Sequence, residues 1–143
     1  MKNIWPLGML IMVLALSANG ICAAQVPDLV GNWAGSGPGY HEGTGYVDDT
    51  DYVTLSLTIV EQNDRLFAGN MTYQVNGTDV VESFFGVFAT DNKSFHLVEF
   101  GSGIDLGTII SDDEIELIYI QDGDPAESRL TEIFIDRLYR IVE

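Results

Sequence analysis

From residue 52 onward the chain alternates between apolar and polar positions. Val53, Leu55, Leu57 and Ile59 fall on one face of an extended segment, and Thr54, Ser56 and Thr58 fall on the other. A period of two is the mark of a half-buried strand. Residues 66–75 repeat it, with Phe67, Gly69, Met71, Tyr73 and Val75 on one side. Asn76-Gly77 comes next, and because both positions tolerate positive φ the pair predicts a tight hairpin into residues 78–89. Further strands are expected over 94–100, 104–110 and 114–121, parted by Thr90-Asp91-Asn92-Lys93, Gly101-Ser102-Gly103 and Ser111-Asp112-Asp113.

Two segments read less simply. Across 129–142, Leu130, Ile133, Phe134, Leu138 and Ile141 make a helical stripe, whereas Leu130, Phe134, Leu138 and Val142 share one face of a strand. The β-branched and aromatic content favours the strand. Near the start, residues 29–36 read as the first strand, with Trp33 set between Gly31 and Gly35. Fifteen residues, 37 to 51, then carry much glycine and no period. Loops of that length are often functional, and this one holds Tyr40, His41, Glu42 and Tyr46.

These segments add up to an all-β chain: a single antiparallel up-and-down meander of about eight strands, expected to close as a barrel, with a β-sandwich as the alternative. An eight-stranded barrel has room for packed side chains or one small ligand. The residues expected to face a ligand at its mouth are Tyr40, His41 and Tyr46, with Phe67, Tyr73 and Phe84 from the apolar strand faces.

The first 24 residues differ from the rest. Lys2 gives a positive start, residues 4–16 are almost wholly apolar, and Cys22-Ala23-Ala24 supplies small residues at a cleavage point. That is the pattern of a secretory signal peptide, leaving 25–143 as the barrel domain. An uncleaved anchor is the alternative, with a lipid anchor on Cys22, which Asn19-Gly20-Ile21 fits poorly, as a third, and each reading places the domain outside the cell or at its surface. Cys22 is the chain's only cysteine, so cleavage after Ala24 would leave no thiol for a disulfide, metal site or nucleophile.

The chain of 143 residues carries 22 acidic and 6 basic side chains, a formal charge of −16, and losing Lys2 with the leader makes it −17. Nucleic acid would be repelled, and so would an anionic membrane surface. Carboxylates gather in two loops, Asp48, Asp49 and Asp51 in one and Asp122, Asp124 and Glu127 in the other. Hard oxygen donors beside a turning glycine suit calcium, but neither cluster has the spacing of a twelve-residue EF-hand loop, and solvated acidic turns are the plainer reading. No cofactor is expected. Asn70, Asn76 and Asn92 each begin an Asn-x-Ser/Thr sequon, a glycosylation candidate in an exported chain.

The triplet Gly31-Asn32-Trp33 on a first strand resembles the Gly-x-Trp opening of the calycins, the superfamily of lipocalins and avidins. The resemblance covers about seven residues and a strand count. It implies a barrel whose floor the tryptophan closes, with an arginine from the far end of the chain over the ring. Arg137 and Arg140 are the candidates by position. It also implies an apolar ligand. Two departures stand against a narrower assignment: Thr50-Asp51-Tyr52 spells a lipocalin motif far too early, and one tryptophan is too few for an avidin biotin site.

No nucleophile elbow, phosphate loop or histidine pair at metal spacing is present. The expected function is therefore non-enzymatic binding of a small apolar or amphipathic ligand by an exported barrel. A cell-surface structural, adhesion or homo-oligomer-forming module is the alternative. A small barrel isomerase or cyclase, with His41 or Glu42 as base, is a second.

Overall fold

The computed structural model describes residues 25–49, 54–75, 77–101 and 103–142. The leader with Cys22, the Thr50-Asp51-Tyr52 triplet and Asn76 lie outside them. Ten strands follow one another: β1 (Gly31–Ser36), β2 (Gly39–His41), β3 (Gly45–Val47), β4 (Leu55–Asn63), β5 (Leu66–Val75), β6 (Thr78–Phe88), β7 (Ser94–Glu99), β8 (Ile104–Ser111), β9 (Glu114–Gln121) and β10 (Glu132–Ile141). Every pairing is antiparallel. Strands β4 to β10 pair each with the next, and β1 pairs with both β4 and β10, which closes an eight-stranded barrel. The segment after residue 129 is a strand, as closure requires, and no described residue is helical.

Within residues 37–49 the chain forms paired strands where a structureless loop was expected. β1 and β2 pair with β10 in one unbroken register, Asn32 opposite Ile141 through His41 opposite Glu132. Pro38 lacks the N–H needed to continue the ladder, yet its carbonyl still accepts from Ile135 N at 3.0 Å. β3 then folds back on β2 around Gly43, whose φ of 84° a side chain would resist. Strands of three residues are too short for alternation to show in the sequence, which is why this hairpin was not expected.

One end of the barrel is sealed. Trp33 is fully buried, and its indole N–H donates to Leu29 O at 2.9 Å. Residues 25–30 therefore cross the floor rather than extend β1, and Gly31, at φ 134°, makes the corner between them. Gln62 ties the crossing down, accepting from Leu29 N and donating to Pro27 O. Above the floor the aromatic rings interlock, Phe67 lying tilted to Phe88 at 5.5 Å and edge to face with Phe95 at 5.8 Å between centroids.

Room for these rings comes from glycines directly across the ladder. Gly69 faces Phe84, Gly86 faces Phe67, and Gly107 faces Phe95. A Cβ on Gly86 or Gly107 would fall inside the opposing ring. Phe67, Phe84 and Phe95 thus each lie over a neighbour that has no side chain, which lets the lower barrel pack closely.

Candidate functional site

The other end of the barrel is a cup of about 480 Å³. On each strand the inward face changes character on the way up. β7 presents Phe95, Leu97 and then Glu99, while β9 presents Ile115, Leu117, Tyr119 and Gln121. On β8 Asp105 precedes Gly107, and on β10 Glu132, Phe134 and Asp136 precede Leu138. β2 adds His41, and Leu55, Met71 and Tyr73 come from β4 and β5. An apolar lower wall therefore meets a ring of carboxyls and phenols. The hairpin β2–β3 rises beside this ring. Among the described residues β3 has no ladder partner but β2, and β4 starts only at Leu55, so the paired wall is incomplete on this side.

The electrostatics of the ring follow from burial. Asp105 is 2% exposed and Glu99 9% exposed, and the two share a hydrogen bond. Desolvation raises the proton affinity of both, and their mutual repulsion adds to it on Glu99. Both carboxyls are thus held toward the protonated form, and the hydrogen-bonded pair titrates as a unit. Burial also lifts Asp136 from 3.8 to about 6. Glu132 is raised by burial, opposed by His41, whose Nε2 lies 3.1 Å from its Oε1. Burial together with the acidic neighbours raises Tyr73 to about 12 and raises Tyr119 as well.

The hydrogen-bond donors of the lining are committed to the protein. Tyr73 Oη donates to Glu82 at 3.0 Å, and Tyr119 Oη donates to Gln121 at 2.9 Å. The Gln121 amide donates to Leu130 O and the Gln74 amide to Asp79. Two polar atoms of the lining, Asp105 Oδ2 and His41 Nδ1, are buried without a partner among the described residues.

Of the six residues expected to face a ligand, His41 and Tyr73 line the cup. Tyr40 and Tyr46 do not, because period two turns them outward from His41 and Val47. They are 61% and 59% exposed and meet edge to face on the barrel's exterior, 5.6 Å apart. Phe67 and Phe84 point inward but too deep, and are consumed by the aromatic packing above the floor. Glu42 is turned from the cup, its backbone and carboxylate both bonded to Thr131.

The two arginines part company. Arg140 stands over Trp33, its Cζ 4.2 Å from the ring centroid, and donates to Val30 O and Asp28 O at 2.8 and 2.9 Å. Arg137 lies on the outer wall, bridging Glu114 and Glu116 at 2.6 and 2.8 Å.

The acidic loops hold their own partners. Asp124 and Glu127 reach Arg129 at 3.3 and 3.6 Å, and Asp124 also accepts from Ala126 N. Asp48 and Asp49 each make interactions of their own, Asp122 lies in the second loop, and Asp51 is outside the described residues. Among the described residues no three His, Cys, Asp or Glu side chains gather as a metal site would require. Of the sequons, Asn70 sits mid-strand in β5 accepting from Ser83 Oγ, and Asn92 occupies a turn at φ 52°.

What sequence reasoning missed is the carboxyl ring. Its signal was present: Glu99, Asp105 and Asp136 each fall in phase with the apolar face of a strand, where a solvated carboxylate would not be placed. Comparison with protein-family models, with curated protein sequences and with solved structures gives no significant match.

Proposed function

We propose that this chain is an exported, non-enzymatic barrel of calycin-like type that binds one small amphipathic molecule in its cup. The apolar part would rest on Leu55, Met71 and Phe134, and a donor-rich, cationic head would meet Asp105 and its neighbours. The Gly31-Asn32-Trp33 opening and the arginine over the tryptophan support the calycin-like reading. The observation that carries the ligand class is Asp105 Oδ2, a buried carboxyl oxygen without a partner in a lining rich in carboxyls. A buried polar atom left unpaired costs about 1–3 kcal/mol, and a ligand that brings an N–H recovers it. A volume of about 480 Å³ suits a small molecule.

Isothermal titration calorimetry with octylamine and with octanoate tests this. The amine should bind, with affinity rising with pH as the Glu99–Asp105 pair gives up its proton, and Asp105→Asn should weaken it at least tenfold. Equal binding of octanoate, or none of the amine, would refute the assignment.

A second reading, the small isomerase or cyclase, is favoured by one feature: a carboxyl pair that holds a proton beside an apolar wall is suited to general acid catalysis. It requires the bound molecule to emerge altered. Mass spectrometry of the ligand after incubation with the wild-type chain and with Glu99→Gln separates the two.

A further inference from the structure

The outside of the barrel is divided into two unlike sectors. On β1, β4 and β5 the outward residues are mostly polar, Val60 and Leu66 being the exposed apolar exceptions, and the polar ones bond across the strands: Thr58 Oγ1 donates to Asn32, and Ser83 Oγ of β6 donates to Asn70. From β6 round to β10 the outward residues at the level of the cup are apolar and in cross-strand register. Phe85 faces Val98, Val98 faces Ile104, and Ile104 faces Ile120. The row continues through Ile133 to Tyr40, and from Tyr40 to Tyr46 on the hairpin. Every member is between 41% and 61% exposed. One step toward the floor Val87, Leu106, Ile118 and Ile135 form a second row, interrupted only by His96.

We propose that copies of this chain associate with one another through these two rows. Three observations name a second copy as the occupant. The first is area. With roughly half of each large side chain exposed, the rows present on the order of 1,000 Å² spread over five of the eight barrel strands and the hairpin, more than the ~300–600 Å² patch of an ordinary monomer and enough to be shared between neighbouring copies.

The second is charge. The chain bears 22 acidic side chains, yet no Asp, Glu, Lys or Arg falls in either row. A basic partner would be drawn to the acidic surfaces elsewhere. The surface complementary to a neutral apolar row is another of the same kind, and joining two copies here leaves the carboxylates at the rim. The third is the anchors. Phe85 stacks edge to face on Phe100 at 4.9 Å near one end of the row, and Tyr40 on Tyr46 at the other. Exposed, prearranged aromatic pairs serve as anchors at protein interfaces, and here one stands at each end of the row. A lipid core is a poor occupant, since a barrel wall in lipid must be apolar all the way round, and the β1–β4–β5 sector is not.

Sedimentation velocity across a concentration series decides the matter. It uses the chain expressed with its own N-terminal segment and purified in the form the host matures. The wild type should sediment as a dimer or a closed ring at micromolar concentration, and more firmly at high salt, where repulsion between acidic copies is screened. The variant Ile104→Asp/Ile133→Asp should dissociate at least about a hundredfold more readily. Thr58→Asp/Thr72→Asp, on the polar sector, should leave association unchanged. If the first variant fails to fold, Ile104→Thr/Ile133→Thr keeps strand propensity and should still weaken association measurably. A wild type that stays monomeric at about 100 μM, or an oligomer indifferent to the row variants, overturns the proposal. So does a monomer that co-floats with phosphatidylcholine vesicles, which would identify a lipid surface as the occupant.

Discussion

Asp136→Asn should make this protein more stable at neutral pH and leave it unchanged in acid. Asp136 faces the cup, and burial alone lifts its proton affinity from 3.8 to about 6. An acid whose folded pKa lies above its unfolded value binds more protons when folded, so stability falls as pH rises between the two values. Below about pH 4 both states hold the proton and the carboxyl costs nothing; above about pH 6 the folded state carries the full penalty of a desolvated charge. Moving a carboxyl from 3.8 to about 6 corresponds to ~3 kcal/mol at most. Solvent relaxation, and the burial of the asparagine amide itself, should leave about 1–2 kcal/mol of gain. With a urea dependence of about 1–3 kcal/mol per molar, the midpoint should move up by ~0.5–1.5 M. Urea titrations of both proteins from pH 4 to 8 would show the midpoints coincide in acid and separate through pH 5–6. A separation that does not change with pH, or a variant weaker than wild type at pH 7, would refute the reasoning. The first result would mean that folding leaves the Asp136 proton affinity unchanged, and the second that its carboxylate has a favourable partner instead of a desolvation penalty.

Two further substitutions probe the floor and the ring packing. Arg140→Met removes the cation above Trp33 and strands the carbonyls of Val30 and Asp28, which should cost about 2–4 kcal/mol and shift Trp33 emission to the red. Arg137→Met breaks only exposed ion pairs and should cost under ~1 kcal/mol in the same thermal melts, so equal losses would contradict the floor assignment. Gly107→Ala sets a methyl inside the Phe95 ring and should destabilise by roughly 1–3 kcal/mol. Adding Phe95→Leu should recover part of that loss, whereas strict additivity of the two changes would show that they do not meet.

The fold was legible because alternation runs through nearly every strand and the turns between them are short and well marked. Asn76-Gly77 and Thr90-Asp91-Asn92-Lys93 delimit β6 almost to the residue. Closure was harder to see. It depends on the segment after residue 129, where helix and strand periods both fit and only the β-branched and aromatic content tips the reading to the strand that the pairing of β10 with β1, β2 and β9 shows. The site was less legible, because period two says which residues share a face but not how far along the barrel each lies. Phe67 and Phe84 were placed on the correct face and at the wrong height. Tyr40 and Tyr46 were drawn to the ligand by their chemistry, although their neighbours His41 and Val47 hold the inward positions.

Height along the barrel is also what gives these strands their unusual polarity. Near the floor the arrangement is ordinary: Phe95, Ile115 and Leu138 point in, while Ser94, Glu116 and Arg137 point out. Toward the mouth it reverses. Val98-Glu99, Ile104-Asp105, Tyr119-Ile120 and Glu132-Ile133 each set a polar or ionisable group inside and an apolar one outside. A sheet with that polarity gains little from burial in isolation, since its apolar face meets water and its carboxyls are held away from it. The reversal stands on four consecutive strands, with the apolar members in one cross-strand row. It becomes favourable if both faces are engaged, the inner by a molecule that brings donors to Asp105 and the outer by a second barrel. The two engagements would reinforce each other. Covering the outer row excludes water from the wall of the cup and strengthens every electrostatic contact within it, so amine affinity should be higher in the associated form than in the Ile104→Asp/Ile133→Asp monomer. Equal affinities in the two forms would show that the faces act independently.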